Sequence, residues 1–168
     1  MAKIPDDLFL IEPPDDLKQL YYAIGRIIVN WSLVERMLAN CVIILYSSYW
    51  GSELPGIKEI PVSLNRQIAF VRKALNNTEM PLLPFKDEGE KLMDRIQNLK
   101  DVRHNITHGM LVDMDKDSFD IQKFKYDKRT FDDLKINVKV DDCLESGNKM
   151  LVLANELGRF FRHLLRQE

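Results

Sequence analysis

The segment LKQLYYAIGRIIVNWSLVERMLANCVIIL, residues 17–45, carries the clearest periodicity in the chain. Apolar residues recur in it at every seventh position, or two helical turns: Leu17, Ile24, Trp31, Leu38 and Leu45. Tyr21, Ile28 and Val42 lie between them and extend the apolar stripe. A helix of this length exceeds the usual globular helix of about 11 or 12 residues, and long helices are typical of bundles. The segment therefore predicts a mainly α fold built around one long first helix.

Three further helices are predicted after it. Ser63 is the expected N-cap of the second helix. The third is expected over about residues 87–108, with Gly109 ending it in the left-handed conformation that glycine adopts most easily. Asp141 or Asp142 opens the fourth. The pattern predicts a domain of four helices.

Residues 110–140 change from the helical period to alternation of apolar and polar residues. That alternation predicts a β-hairpin or a small three-stranded sheet before the last helix. Residues 1–14 are rich in proline and aspartate and are expected to form an extended arm. The fold class is thus expected to be mainly α, an antiparallel four- to five-helix bundle with a β-hairpin inserted before the last helix. We expect residues 1–168 to form a single domain.

Composition limits the classes of function. The net charge of the 168 residues is -2, so nucleic acid would have to bind to a local patch. Cys41 and Cys143 belong to no CxxC pair, which favours a reducing cytoplasm. The N-terminal sequence does not resemble a signal peptide, and the apolar run CVIILYSSYW is shorter than the roughly 20 residues of a membrane span. We expect a cytoplasmic protein that does not enter the membrane.

Two charged residues occupy positions where their helices are otherwise apolar. Glu35 continues the series Tyr21 and Ile28, and Arg103 lies between Leu99 and Ile106. An unpaired buried charge costs several kcal/mol, roughly, so such residues normally find a partner. One expectation is that the first and third helices pack together and that Glu35 meets Arg103. The alternative is that both long side chains reach water at the edge of their stripe.

The segment RHNITHG, residues 103–109, holds two of the three histidines of the chain. His104 and His108 are four residues apart and share a helix face, as zinc ligands can, but the glutamate of an HExxH helix is missing. Neither a nucleophile elbow nor a phosphate-binding glycine loop occurs, so no metal and no cofactor is expected. Phosphodiester cleavage without metal needs a base and a cation, which histidine and Arg103 can supply. A symmetric dimer would present two arginines and two histidines at its two-fold axis, and so supply both an acid and a base.

RHNITHG also resembles the signature of the HEPN superfamily, an arginine, a polar residue, three further residues and a histidine, often followed by glycine. The first helix, with Trp31 and Glu35 near its middle, is similar to the first helix of that family as well. The resemblance implies a helical bundle that dimerises, with the motifs of both copies lining one cleft. Many members are metal-independent endoribonucleases, often toxins paired with an antitoxin or parts of phage defence. RNA is then the expected substrate, and an antitoxin protein a possible partner.

The resemblance also assigns expected roles to individual residues. His108 would act as general acid or base, and Arg103 would bind the phosphate and the transition state. His104 and Asn105 would assist binding or orientation, although Asn105 has no firm counterpart in the signature. Glu35 would orient Arg103. The other hypothesis is a non-catalytic nucleotide-binding or protein-interaction module, in which Arg103 and His108 belong to a buried polar network.

Basic residues in the hairpin offer one further candidate for binding nucleic acid. They form either a local patch beside the cleft or an ordinary solvated face of the hairpin: Lys123, Lys125, Lys128 and Arg129.

Overall fold

Four α-helices and a three-stranded sheet make up the computed structural model, which describes residues 14–79, 81–127 and 130–166, with the backbone alone at residues 16, 124–127 and 130–133. The helices are α1 (Lys18–Ser47), α2 (Leu64–Leu75), α3 (Lys86–His108) and α4 (Val140–Leu165). The strands are β1 (Met110–Met114), β2 (Ser118–Asp127) and β3 (Thr130–Lys139). A mainly α fold with a small sheet before the last helix is therefore confirmed. Of the expected N-terminal arm, residues 1–13 lie outside the described residues.

The long helix α1 packs along α4, and the two run in the same direction. Asn30 Nδ2 donates a hydrogen bond of 2.8 Å to the carbonyl of Gly147 near the start of α4. Tyr49, just after α1, donates one of 2.6 Å to the carbonyl of Leu164 at the end of α4. The expected antiparallel arrangement therefore does not extend to this pair. The sheet explains the difference, because it connects the end of α3 to an α4 that starts at the same end of the bundle as α1.

Helix α3 runs antiparallel to both α2 and α4, as expected. Arg72 of α2 forms an ion pair of 2.5 Å with Asp94 of α3, while Asn76, one turn later, bonds Glu90, one turn earlier. Arg95 of α3 pairs with Glu156 of α4 in the same manner. These contacts hold α3 between α2 and α4, so that its last turn lies beside the sheet.

The side of α1 that faces the other helices contributes much of the core. The largest side chains of α1 that are fully buried are Leu20, Ile27, Trp31, Leu38 and Leu45. Tyr21 and Ile28 were expected on the same buried stripe, but their side chains are 50% and 47% exposed. That expectation was wrong for Tyr21 and Ile28, which lie on a part of the helix that the other helices leave uncovered. Farther along the same line, Glu35 is partly buried and Val42 is fully buried, as expected.

The sheet has the strand order β1-β2-β3, with both strand pairs antiparallel. Phe119 and Ile121 of β2 are buried against the helices. All five residues of β1 are exposed, and its pairing with β2 is irregular between Leu111 and Asp113. Of the basic candidates in the hairpin, Lys123 is described and partly buried. The other three lie outside the described side chains: Lys125, Lys128 and Arg129.

Gly109 ends α3, but not in the conformation expected from the sequence. Its φ of -79° and ψ of 145° are those of extended backbone, which any residue adopts. Glycine is required there for space instead, because a Cβ atom would lie 1.8 Å from Cγ2 of Ile121. The close approach lets β2 pack directly on the last turn of α3.

Helix α1 is also long and apolar enough to cross a membrane, as judged by length and composition alone. An 18-residue window within Lys18–Ser47 has a mean hydropathy of 1.5, and 44% of that window is buried inside the bundle. The expectation that no segment is long enough was based on the run CVIILYSSYW and overlooked the helix as a whole. Core helices of globular proteins meet the same criterion.

Candidate functional site

A groove of about 430 Å³ opens where α1, the start of α2 and the last turns of α3 meet. Trp31 and Glu35 of α1 form one wall. Arg103 and His104 of α3, together with Lys100, form the opposite wall. Its size falls within the range of roughly 300–1,000 Å³ that is usual for small-molecule sites. The structure thus brings three of the five candidate site residues to one groove: Glu35, Arg103 and His104.

Glu35 and Arg103 face this groove without forming an ion pair with each other, as far as the described side chains go. The expected packing of α1 beside α3 is present, but the expected Glu35–Arg103 contact is not. Both side chains are partly buried, and water reaches each of them through the open groove. The carboxylate and the guanidinium are therefore each available to a ligand.

His108 lies next to the groove through its contact with His104. The two imidazole rings are 4.8 Å apart between centroids and tilted by 46°. Both side chains are exposed, because residues four apart on the last turn of α3 share its outward face. An arginine and two solvent-accessible imidazoles thus lie within about one and a half turns of helix.

The electrostatic surroundings of His104 favour its neutral form. Partial loss of hydration lowers the pKa of this imidazole below its usual value, and the positive charges of Lys123, His108 and Arg103 lower the pKa further. Asp101 acts in the opposite direction but more weakly. A neutral imidazole beside a guanidinium can accept a proton at neutral pH.

Asn105 is directed away from the groove, toward the sheet. Its Oδ1 accepts a hydrogen bond from Nζ of Lys123 on β2, and its carbonyl accepts one of 2.9 Å from the amide of Gly109. The residue therefore holds the sheet to the motif and does not line the groove. Its position on the helix decides this, since adjacent residues point about 100° apart. Its expected part in binding or orientation stays a prediction.

Trp31 lines the groove as well, although the sequence placed it on the apolar stripe of α1 and not among the candidate site residues. Its side chain is 2% exposed, and its indole Nε1–H has no hydrogen-bond partner among the described residues. Buried donors are normally satisfied, so this one marks the groove as unusual. The available signal was the spacing, because Trp31 precedes Glu35 by four residues and shares its face of α1.

Other chemistries find little support in the described residues. Among residues 14–79, 81–127 and 130–166, no three or more histidine, cysteine, aspartate or glutamate side chains cluster so as to hold a metal ion. Burial raises the pKa of the Cys41 thiol to about 12 and that of Cys143 to about 11. Both thiols therefore stay protonated at neutral pH, and neither is an activated nucleophile.

Comparisons with protein-family models, with curated proteins and with solved structures gave no match. The similarity to the HEPN superfamily therefore rests on RHNITHG, on Glu35 and on the order of the helices.

Proposed function

We propose that this chain is a HEPN-like, metal-independent endoribonuclease that acts as a homodimer in the cytoplasm. One observation carries the proposal: Arg103 and His104 line the same groove, and the ring of His108 contacts that of His104. A phosphate-binding cation and two groups that exchange protons near neutral pH are thereby grouped at one accessible corner. This is the minimum set for cleaving RNA by attack of its own 2′-hydroxyl.

The proposed reaction is an internal transfer of the phosphodiester. A neutral imidazole takes the proton of the 2′-hydroxyl while the 2′-oxygen bonds to phosphorus. The bond from phosphorus to the 5′-oxygen breaks, and an imidazolium gives its proton to that oxygen. The products are a 2′,3′-cyclic phosphate and a 5′-hydroxyl, so atoms and protons balance without metal or water.

The surroundings of each side chain suggest which role it takes. His104 suits the base, because its lowered pKa keeps it neutral and it faces the groove. His108, in ring contact with it, then serves as the acid, one of the two roles expected from the sequence. Arg103 stabilises the extra negative charge on the phosphoryl oxygens in the transition state. Here His104 takes a direct part in the reaction, beyond the assisting role expected of it.

An exposed apolar face on α1 supports the homodimer. Tyr21 and Ile28 lead along the helix to Glu35 at the groove, and Tyr22 and Val29 widen the same face. Contiguous apolar surface of this kind is typical of sites for protein association. A second copy docked there with two-fold symmetry would bring the two grooves toward a shared axis.

The alternative of a non-catalytic module is less well supported. In that hypothesis Arg103 and His108 belong to a buried polar network, whereas the His108 side chain is exposed. A nucleotide-binding module without catalysis would still use the same groove. The two are separated by whether His108 is needed for cleavage or only for stability.

The decisive experiment is cleavage of end-labelled single-stranded RNA by the purified protein in excess EDTA. We expect cleavage with 2′,3′-cyclic phosphate ends, a loss of about 10²–10⁴-fold in His108→Ala, and a comparable loss in Arg103→Ala. His163→Ala is the matched control, since it removes the third histidine, at the far end of α4, and should leave the rate unchanged. Intact RNA after incubation with folded wild-type protein would refute the nuclease, as would full activity of His108→Ala.

Expression in growing cells tests the toxin hypothesis separately. A free ribonuclease damages the RNA of its own host, so wild type should slow growth unless an antitoxin protein is produced with it. His108→Ala should be tolerated at the same protein level. Equal growth with both versions would argue against a toxin without affecting the reaction measured in vitro.

A further inference from the structure

A second groove, also of about 430 Å³, lies between α2 and the loop that precedes it. The loop contributes Lys58, Glu59 and Pro61 to its walls, and the helix contributes Arg66 and Lys73. Grooves of roughly 300–1,000 Å³ are large enough for a small molecule or for a short part of a longer one. This groove is separate from the motif, and none of its residues was a candidate from the sequence.

Two hydrogen bonds fix the loop against the helix. Lys73 donates one from Nζ to the carbonyl of Pro55. The buried Gln67 donates another, of 3.2 Å, from Nε2 to the carbonyl of Pro61. Because side chains of α2 hold the loop at two points, the groove has its shape before any ligand arrives, which lowers the entropy cost of binding.

Positive charge predominates in this second groove. Its walls carry three cationic side chains and one carboxylate: Lys58, Arg66, Lys73 and Glu59. Lys58 and Arg66 are exposed, and neither forms an ion pair with another described residue. The chain as a whole has a net charge of -2, so this surplus of positive charge is local. A concave positive surface attracts anions, and a guanidinium binds phosphate through paired N–H groups.

The second groove adjoins the groove at the motif. Asn65 lines the groove at the motif, and the next residue, Arg66, lines the second groove. Consecutive Cα atoms are about 3.8 Å apart, so the two grooves meet at the start of α2. An RNA strand whose cleaved phosphate lies at Arg103 can therefore continue past the start of α2 into the second groove.

We propose that the second groove binds phosphates of single-stranded RNA beyond the cleaved bond, with Lys58 and Arg66 as the contacts. The assignment rests on the proposed ribonuclease function, which puts the cleaved phosphate at Arg103. An acidic peptide would match the charge of the groove alone, but a strand of phosphates also accounts for its position beside the motif. Contacts to phosphates carry no sequence information, so the groove adds affinity without selecting bases.

Fluorescence anisotropy with labelled 2′-O-methyl RNA measures this binding, because the blocked 2′-oxygen prevents cleavage. Wild type should bind a strand of about 12 nucleotides more tightly than a dinucleotide, which is too short to span both grooves. In Lys58→Met/Arg66→Met we expect the longer strand to lose about tenfold in affinity. The slope of log K against log salt concentration should become shallower by about 1.4, or about 0.7 for each lost phosphate contact.

Lys149→Met/Arg162→Met is the matched control. Both residues are exposed cations of α4 that lie outside the two grooves, and their removal changes the net charge by the same amount. RNA affinity and salt slope should stay close to those of wild type. Circular dichroism confirms that each double variant is folded.

The outcomes separate this inference from the proposed function. Equal losses in the two double variants, or unchanged RNA affinity in Lys58→Met/Arg66→Met, refute the second groove as an RNA site, and cleavage of unmodified RNA would leave the nuclease standing. RNA binding that depends on Lys58 and Arg66, in a protein that leaves unmodified RNA intact, supports the site and refutes the nuclease. Loss of polyaspartate binding without loss of RNA binding would assign the groove to an acidic protein and overturn the proposal.

Discussion

Lys123 of β2 donates a hydrogen bond from Nζ to Oδ1 of Asn105 in the last turn of α3. The contact attaches the sheet to the segment that carries the arginine and both histidines of the motif. It also brings a positive charge close enough to His104 to lower the pKa of its imidazole. The inserted sheet therefore acts on the chemistry of the site as well as on its geometry.

Removal of the Lys123 charge should raise the pKa of His104. In Lys123→Met the largest of the nearby positive charges is lost, so protonation of the imidazole becomes easier and its pKa moves up toward 6.5. Because the base must be neutral, the acidic limb of the pH–rate profile should move to higher pH. Titration of the His104 ring by NMR measures the same change.

Lys135→Met is the control for this prediction. Lys135 lies on β3 and pairs at 2.7 Å with Asp120, and it is not among the charges that shift the pKa of His104. The pKa of His104 should not change in this variant. An unchanged acidic limb in Lys123→Met would contradict the assignment of His104 as the base.

Gly109→Ala should destabilise the protein because the sheet packs on the glycine. A Cβ atom there would lie 1.8 Å from Cγ2 of Ile121 and 2.6 Å from the carbonyl oxygen of Asn105. Overpacking of this kind costs about 1–3 kcal/mol, measured as the free energy of unfolding in urea. Gly25→Ala is the matched control, since nothing lies within 4 Å of its added Cβ. It should stabilise α1 by about 0.5–1 kcal/mol, and equal destabilisation by both changes would contradict the packing argument.

Periodicity was sufficient to predict the helices, the sheet and their order, since burial on one face imposes the repeat of each element. It could not give the directions of the helices, because the parallel contact of α1 with α4 depends on where the sheet returns the chain. It also placed Tyr21 and Ile28 inside, although the other helices leave that part of α1 uncovered. The reason for glycine at position 109 could not be predicted from the sequence either. It is the close packing of Ile121, which lies twelve positions away in sequence.

For the site, too, the sequence predicted some features and could not predict others. Arg103 and His104 could be found from their residue types, because the chemistry of guanidinium and imidazole is local to each side chain. The absence of a hydrogen-bond partner for the Trp31 N–H could not be predicted from the sequence, because it depends on which groups the fold places around that donor. The orientation of Asn105 could not be predicted either, because its contact with Lys123 depends on how the sheet packs against α3.

Ile28→Glu should dissociate the dimer. The side chain is 47% exposed on the apolar face of α1, and a carboxylate buried there by a second copy would lose its hydration. Sedimentation equilibrium should show a monomer with unchanged helicity, and RNA cleavage should fall along with the dimer. Leu83→Glu is the matched control, an exposed apolar residue just before α3. If Ile28→Glu remains a dimer, the interface lies on another surface.

Each histidine of the motif should control one limb of the pH–rate profile. With a neutral base and a protonated acid, kcat/KM should follow a bell-shaped curve, and its acidic limb should rise as His104 loses its proton. His104→Gln should remove the acidic limb and His108→Gln the alkaline one, each at a cost of about 10²–10⁴-fold at the optimum. His163→Gln should preserve both limbs.

Thermal unfolding of the same variants separates catalysis from stability. Both motif histidines are exposed, so their replacement should shift the melting temperature little, as expected for surface substitutions of within about 0.5 kcal/mol. Loss of the alkaline limb in His104→Gln would instead exchange the two roles and make His104 the acid. Loss of activity in proportion to loss of stability would support a structural motif over a catalytic one, because only a proton-transfer group changes the shape of the profile while the fold is preserved.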